Sequence, residues 1–212
     1  MSTITGQNGV SIYAGYQENS VAIIKDPQFG YFYDATGEVT GIAYCKNTSA
    51  KYCYEIEGQY FSSRRHEDLS TLRTRFSSTG VHVSQPSEPS SCSVTGISIS
   101  IGKIFGKSDE VTILPSVGVG YSFLKSEVYG VDPSWSENQA IGYYPLHIEG
   151  HCLSLLFSTK LIYPIRGPVS ALMGVETRMN HSLKLKYDGI TTEADQLTAF
   201  LSSLVFGIRY AF

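Results

Sequence analysis

TILPSVGVGYSFLK, residues 112–125, holds the alternation that decides the fold. Ile113, Pro115, Val117, Val119, Tyr121 and Phe123 fall on one face of an extended chain. Leu114, Ser116, Gly118, Gly120 and Ser122 fall on the other. Successive side chains of a strand point to opposite faces, so a period of two sustained this long predicts a β-strand. One face is apolar and aromatic, while the other is built mostly of glycine and serine.

The same pattern recurs on both sides of this stretch. Residues 94–104 set Ile97, Ile99 and Ile101 against Ser98, Ser100 and Gly102. Residues 152–164 set Leu153, Leu155, Phe157, Leu161 and Tyr163 against Ser154, Ser158 and Lys160. Residues 169–179 set Val169, Ala171, Met173 and Val175 against Ser170, Gly174, Glu176 and Arg178, and residues 51–61 set Tyr52, Tyr54, Ile56 and Tyr60 against Cys53, Glu55, Glu57 and Gln59. The last residues alternate Leu204, Phe206, Ile208, Tyr210 and Phe212 with Val205, Gly207, Arg209 and Ala211. Two weaker segments complete the set: residues 10–17, with Val10, Ile12, Ala14 and Tyr16 on one side, and residues 71–78, with Leu72 and Phe76 opposite Arg73 and Arg75.

The connections sort by length. Residues 106–110 and 165–167 are short and 62–68 intermediate, whereas 18–50, 80–91, 126–145 and 180–196 are long and polar. Alternating long and short connections are expected of a barrel whose two rims face different compartments. A β-sandwich has no reason to sort its loops so. The 212 residues therefore read as one domain, an all-β, closed, antiparallel, up-and-down transmembrane barrel of eight strands, with ten as the alternative if residues 29–45 add a hairpin turning at 36–38.

Face contents decide between water and lipid. In a soluble barrel the apolar face fills the interior and the polar face meets water. Here the polar face carries Gly102, Gly118, Gly120, Gly174 and Gly207, which weaken an exposed strand but leave room inside a narrow barrel. If the strands were inverted, Glu55, Glu57, Arg73, Arg75, Lys160, Glu176, Arg178 and Arg209 would face lipid, at a cost on the order of 10–20 kcal/mol. These eight residues are instead expected to form a salt-bridged network inside the lumen, with Glu176–Arg209 as one pair and Glu55 and Glu57 facing Arg73 and Arg75. Tyr121 and Phe123 are expected at outer strand ends, and Tyr60, Tyr163, Tyr210 and Phe212 at inner ends, as two aromatic girdles; the single tryptophan, Trp135, falls in a loop. The competing reading is a secreted soluble β-sandwich or a lipocalin-like binder.

The last strand carries a resemblance. Phe206, Ile208, Tyr210 and Phe212, at alternate positions up to a terminal aromatic, resemble the C-terminal assembly signal of bacterial outer-membrane proteins. The plan as a whole resembles the eight-stranded barrels of the outer-membrane protein A and protein X type. That resemblance implies residence in the bacterial cell outer membrane, among outer-membrane lipids and lipopolysaccharide. It also implies handling by the barrel-assembly machinery through Phe212.

Other chemistry is sparse. A net charge of −3 and the lack of a basic stripe exclude nucleic acid as a partner. No run approaches the roughly 18 apolar residues of a transmembrane helix. Residues 1–6 have neither the basic start nor the apolar core of a secretory leader, so the chain reads as a mature sequence. His66, His82, His147, His151 and His181 are scattered, so neither a metal site nor a cofactor is expected. Cys45, Cys53, Cys92 and Cys152 are placed at the outer rim, where Cys45–Cys53 is a possible disulfide and free thiols are the alternative. Some outer-membrane barrels of this size deacylate lipid A with a His and a Ser two residues apart. His181 and Ser182 are adjacent and so face opposite ways, and no enzyme is expected. Long loops on a rigid barrel favour binding or adhesion to an extracellular or host protein, with Tyr129, Trp135, Tyr143 and Tyr144 as a possible binding surface. A small-solute pore is the alternative function.

Overall fold

A computed structural model describes residues 8–26, 29–49, 51–65, 90–106, 110–131, 143–187, 190–192 and 196–212. Eight long strands run antiparallel: β1 Gly9–Asp26, β2 Phe29–Ser49, β3 Tyr52–Arg65, β4 Ser90–Lys103, β5 Thr112–Val131, β6 Tyr143–Arg166, β7 Val169–Tyr187 and, after the three-residue β8 Ile190–Thr192 paired to β7, β9 Gln196–Ala211. Each long strand pairs with its neighbour in sequence, β7 pairs with β9, and β9 pairs with β1, so the sheet closes.

The register fixes the barrel's geometry. From Val10 the cross-strand partners run through Tyr44, Ile56, Ile99, Val119, Leu155, Met179 and Phe200 and return to β1 at Ser20, ten residues further on. A stagger of that size over eight strands tilts them roughly 40° from the axis and leaves an interior just wide enough for side chains.

The outer wall is apolar. Ile12, Ile42, Ile56, Ile97, Ile99, Val117, Val119, Leu153, Phe157, Val175, Phe206 and Ile208 all stand exposed on it, Val119 at 64%. On β5 this run extends from Ile113 to Phe123 before Lys125 ends it. Ten residue steps at about 40° tilt span about 25 Å along the axis, the height of an outer-membrane apolar band. Several strands outrun this band: β5 and β6 are 20 and 24 residues long, whereas about 10 suffice to cross. Their ends, and those of β1 and β2, continue outward as paired ribbons to Val131↔Tyr143 and Asp26↔Phe29.

Turns crowd the opposite end. Gly167, at φ +57°, makes the tight β6–β7 connection, and Lys51 and residues 104–106 and 110–111 lie at the same end. Asn8 and Phe212 join them, Phe212 N–H donating to Asn8 O at 2.9 Å.

Four expectations are corrected. Residues 18–50 are not a loop: they hold the outer part of β1 and nearly all of β2, and Thr36, Gly37 and Glu38 lie within β2 rather than at a turn. The ring closes with eight strands that do not include residues 71–78, which, like most of 80–91, lie outside the described residues. Residues 126–131 and 143–145 continue β5 and β6 rather than forming loop, with 132–142 outside the described residues, and 180–196 is largely strand because β7, β8 and the start of β9 extend into it. The extra strand reverses β3. Tyr52 is therefore at its turn end, and Tyr60, opposite Thr95 on β4, lies in its outward half and not in the inner girdle.

Candidate functional site

The lumen is built by the alternate residues of the same strands. β3 supplies Glu55, Glu57 and Gln59, β6 Lys160, and β7 Glu176 and Arg178, all buried, with Glu176 at 0% exposure. Lys160 lies at their centre. Its ammonium pairs with Glu55, with Glu57 at 3.0 Å and with Glu176 at 3.4 Å. Arg178 pairs with Glu57 and reaches Glu176 at 3.7 Å, and Gln59 donates to Glu176 Oε2 at 3.3 Å. The Tyr13 ring lies beside the cluster, its centroid 5.7 Å from Lys160 Nζ. It sits between Gly41 and Gly207, its cross-strand neighbours; a side chain at Gly207 would run into the Ile12 carbonyl.

Apolar groups lie on either side of this network. Toward the turn end Cys45, Cys53, Leu114 and Ile162 pack together with Ile104. Toward the outer end Phe61, Leu124, Ile148 and Leu201 are buried to 3% or less. Charges between such layers persist because each finds opposite charge and hydrogen bonds.

Of the residues expected in the network, Glu55, Glu57, Lys160, Glu176 and Arg178 meet, while Arg73 and Arg75 lie outside the described residues. Arg209 is elsewhere. Glu176 faces Ser203 on β9, six residues along from Arg209, so the expected Glu176–Arg209 pair does not form; Arg209 instead donates to Cys45 Sγ at 3.8 Å. Glu55 and Glu57 find their cations on β6 and β7, across the lumen rather than on a neighbouring strand. Tyr13 and Gln59 were not singled out from the sequence, although the alternation places both on the inward face.

Cys45 and Cys53 lie at the turn end, not at the outer rim, because residues 29–49, expected as outer loop, form β2 and run back to the turn end, which reverses β3. They occupy diagonal positions, Cys45 opposite Glu55 and Cys53 opposite Asn47, and both are buried free thiols. His151 pairs with Tyr121, whose hydroxyl lies 2.5 Å from Nδ1, and its ring packs 5.1 Å from Phe123. His181 is exposed on the outer wall beside Leu153, and Ser182 lies opposite Cys152. No group that could hold a metal ion occurs among the described residues.

The side chains of Tyr129, Trp135, Tyr143 and Tyr144 lie outside the described residues, but the backbones of Tyr129, Tyr143 and Tyr144 belong to the outer ends of β5 and β6, Tyr143 opposite Val131 and Tyr144 opposite Gly130. A second ribbon went unread in the sequence. It joins Val21, Ala22 and Ile23 of β1 to Tyr33, Phe32 and Tyr31 of β2 in register. The signal was present as the aromatic run at residues 29–33.

No family model matches the chain, and no curated protein sequence is detectably similar. Solved structures do match. The outer membrane protein OprG from Pseudomonas aeruginosa superposes with a TM-score of 0.57 at 10% identity, covering 98% of this chain and 97% of that one. Neisserial surface protein A gives 0.49 at 13% identity, with 95% and 97% covered. A major outer membrane protein from Thermus thermophilus gives 0.46 at 15%, with 94% and 99% covered. The likeness to OprG is one of fold, and together with the apolar wall and the closed ring it identifies the small eight-stranded outer-membrane β-barrel.

Proposed function

We propose that this chain is an integral protein of the bacterial outer membrane that works by binding, through the outer ends of β1–β2 and β5–β6, an extracellular or host protein. The observation that carries this reading is the filled lumen. Lys160, Glu57 and Glu176 are buried to 1% or less between two apolar layers, which leaves the outer surface as the part able to meet a partner. Two ribbons project beyond the apolar band, and both are rich in the aromatic residues that anchor interfaces. Lipid A deacylation is not supported, since His181 faces outward and Ser182 lies opposite Cys152. Assembly would engage Phe206, Ile208 and Tyr210, exposed in one row on β9, and Phe212, exposed just beyond its end. Deleting Phe212 should lower the surface-exposed protein in cells at unchanged synthesis, and wild-type surface levels would remove that role.

Planar-bilayer recording tests the closed lumen. The purified barrel should be nearly silent, and substituting Glu55, Glu57 and Glu176 together by Ala should bring conductance. Steady, large conductance from the wild type would replace the binding reading with that of a small-solute pore.

A further inference from the structure

The two boundaries of the apolar band differ in charge. At the outer boundary signs are mixed: Glu18 and Glu38 are exposed on β1 and β2, Lys125 lies opposite Glu149, which lies opposite Lys186, and Glu127 pairs with His147 at 3.6 Å. At the turn end, β2, β3 and β4 expose lysines alone. Lys46 on β2 lies opposite Tyr54, Lys103 on β4 lies opposite Tyr52, and Lys51 is in the turn that joins β2 to β3. Elsewhere at that end the exposed charged side chains among the described residues are Glu110 and Arg166.

Strand spacing places β2 and β4 about 10 Å apart across β3, within the joint reach of two lysines. Between them stand Tyr52 and Tyr54 of β3, 45% and 48% exposed, with Tyr44 two residues before Lys46 on β2 at 37%. Tyr44 stacks on Phe212 with centroids 6.5 Å apart, and Lys103 Nζ is held 4.9 Å above the Phe105 ring. Both contacts fix the patch to the barrel wall. Beside it the wall continues as Ile42, Ile56, Ile99 and Ile101, a surface for hydrocarbon.

We propose that Lys46, Lys51 and Lys103, with Tyr52 and Tyr54, form a seat for the phosphate of an anionic glycerophospholipid in the leaflet at the turn end. The lysines neutralise the phosphate and the tyrosine hydroxyls donate to its oxygens. The acyl chains lie along the isoleucines, which is why a lipid fits the seat and a free anion gains less from it. The seat rests on the chain spanning a membrane and not on what the outer ribbons bind, so the bilayer recording and the test below can fail separately.

The test is native mass spectrometry of the full barrel in detergent, titrated with phosphatidylglycerol or with phosphatidylcholine. The wild type should retain phosphatidylglycerol in preference. Each lysine exchanged for glutamine should weaken that retention about fivefold, and Lys46→Gln, Lys51→Gln and Lys103→Gln together on the order of a hundredfold, with phosphatidylcholine unaffected. Lys125→Gln, Lys186→Gln and Lys184→Gln, the last exposed on β7 opposite His151, together should leave it unchanged. Heat-dependent gel migration shows whether each protein is folded, and the single variants carry the test where the triple one is not. Equal retention of the two lipids by the wild type would overturn the seat. So would wild-type retention by the turn-end variants, or an equal loss from the outer-boundary ones.

Discussion

Lys160 and Leu161 are neighbours on β6 in opposite surroundings: the lysine is 1% exposed inside the barrel and the leucine 38% exposed on its wall. The same inversion holds around the ring, with Glu57 inside and Ile56 outside, and Glu176 inside and Val175 outside. A soluble protein would reverse each pair. The two regions are therefore stabilised by different physics. The lumen depends on mutual pairing of buried charges, whereas the wall depends on not exposing a charge to hydrocarbon.

Removing the central partner should have the largest effect. Lys160→Met leaves Glu55, Glu57 and Glu176 without their shared cation, and breaking a buried pair costs about 3–5 kcal/mol. Urea unfolding in lipid vesicles should show that loss, and an unchanged midpoint would mean that water already reaches the network. On the wall, Val119→Arg should cost about 2–4 kcal/mol, because Val119 is near the middle of the band, while an arginine at Phe123 should cost at most about 1. Equal costs at the two positions would remove the bilayer from the explanation. Glycine gives the smallest contrast. Gly207→Ala, facing inward against the Ile12 carbonyl, should destabilise by about 1–3 kcal/mol. Gly58→Ala, facing outward with Ile42 Cγ2 at 3.9 Å as the nearest contact, should be neutral or gain up to about 1 kcal/mol.

This contrast also explains what could be read from sequence. Where a strand crosses lipid, one face must be apolar, and residues 112–125, 152–164, 169–179 and 204–212 show it plainly. Beyond the band no such demand exists. β1 continues past Glu18 and β2 begins before Glu38 as a paired ribbon, so a whole strand looked like a polar loop. Missing it reversed β3 and moved Tyr60, Cys45 and Cys53 to the wrong end. Which charges face inward follows from alternation, and Lys160, Arg178 and the three glutamates are there. Which of them touch depends on the stagger of ten residues around the ring, a property of closure that no single strand records.

A site-directed spin-label scan of residues 112–125 in lipid vesicles tests the inside-out account most directly. Labels at 113, 117, 119 and 121 should collide freely with oxygen dissolved in the bilayer. Labels at 114, 116, 118 and 122 should be shielded from oxygen and from a water-soluble relaxant alike, and position 125 should become accessible to the aqueous reagent. Aqueous access at 117 and 119 would contradict a lipid-facing wall, and aqueous access at 116 and 118 would contradict a closed lumen.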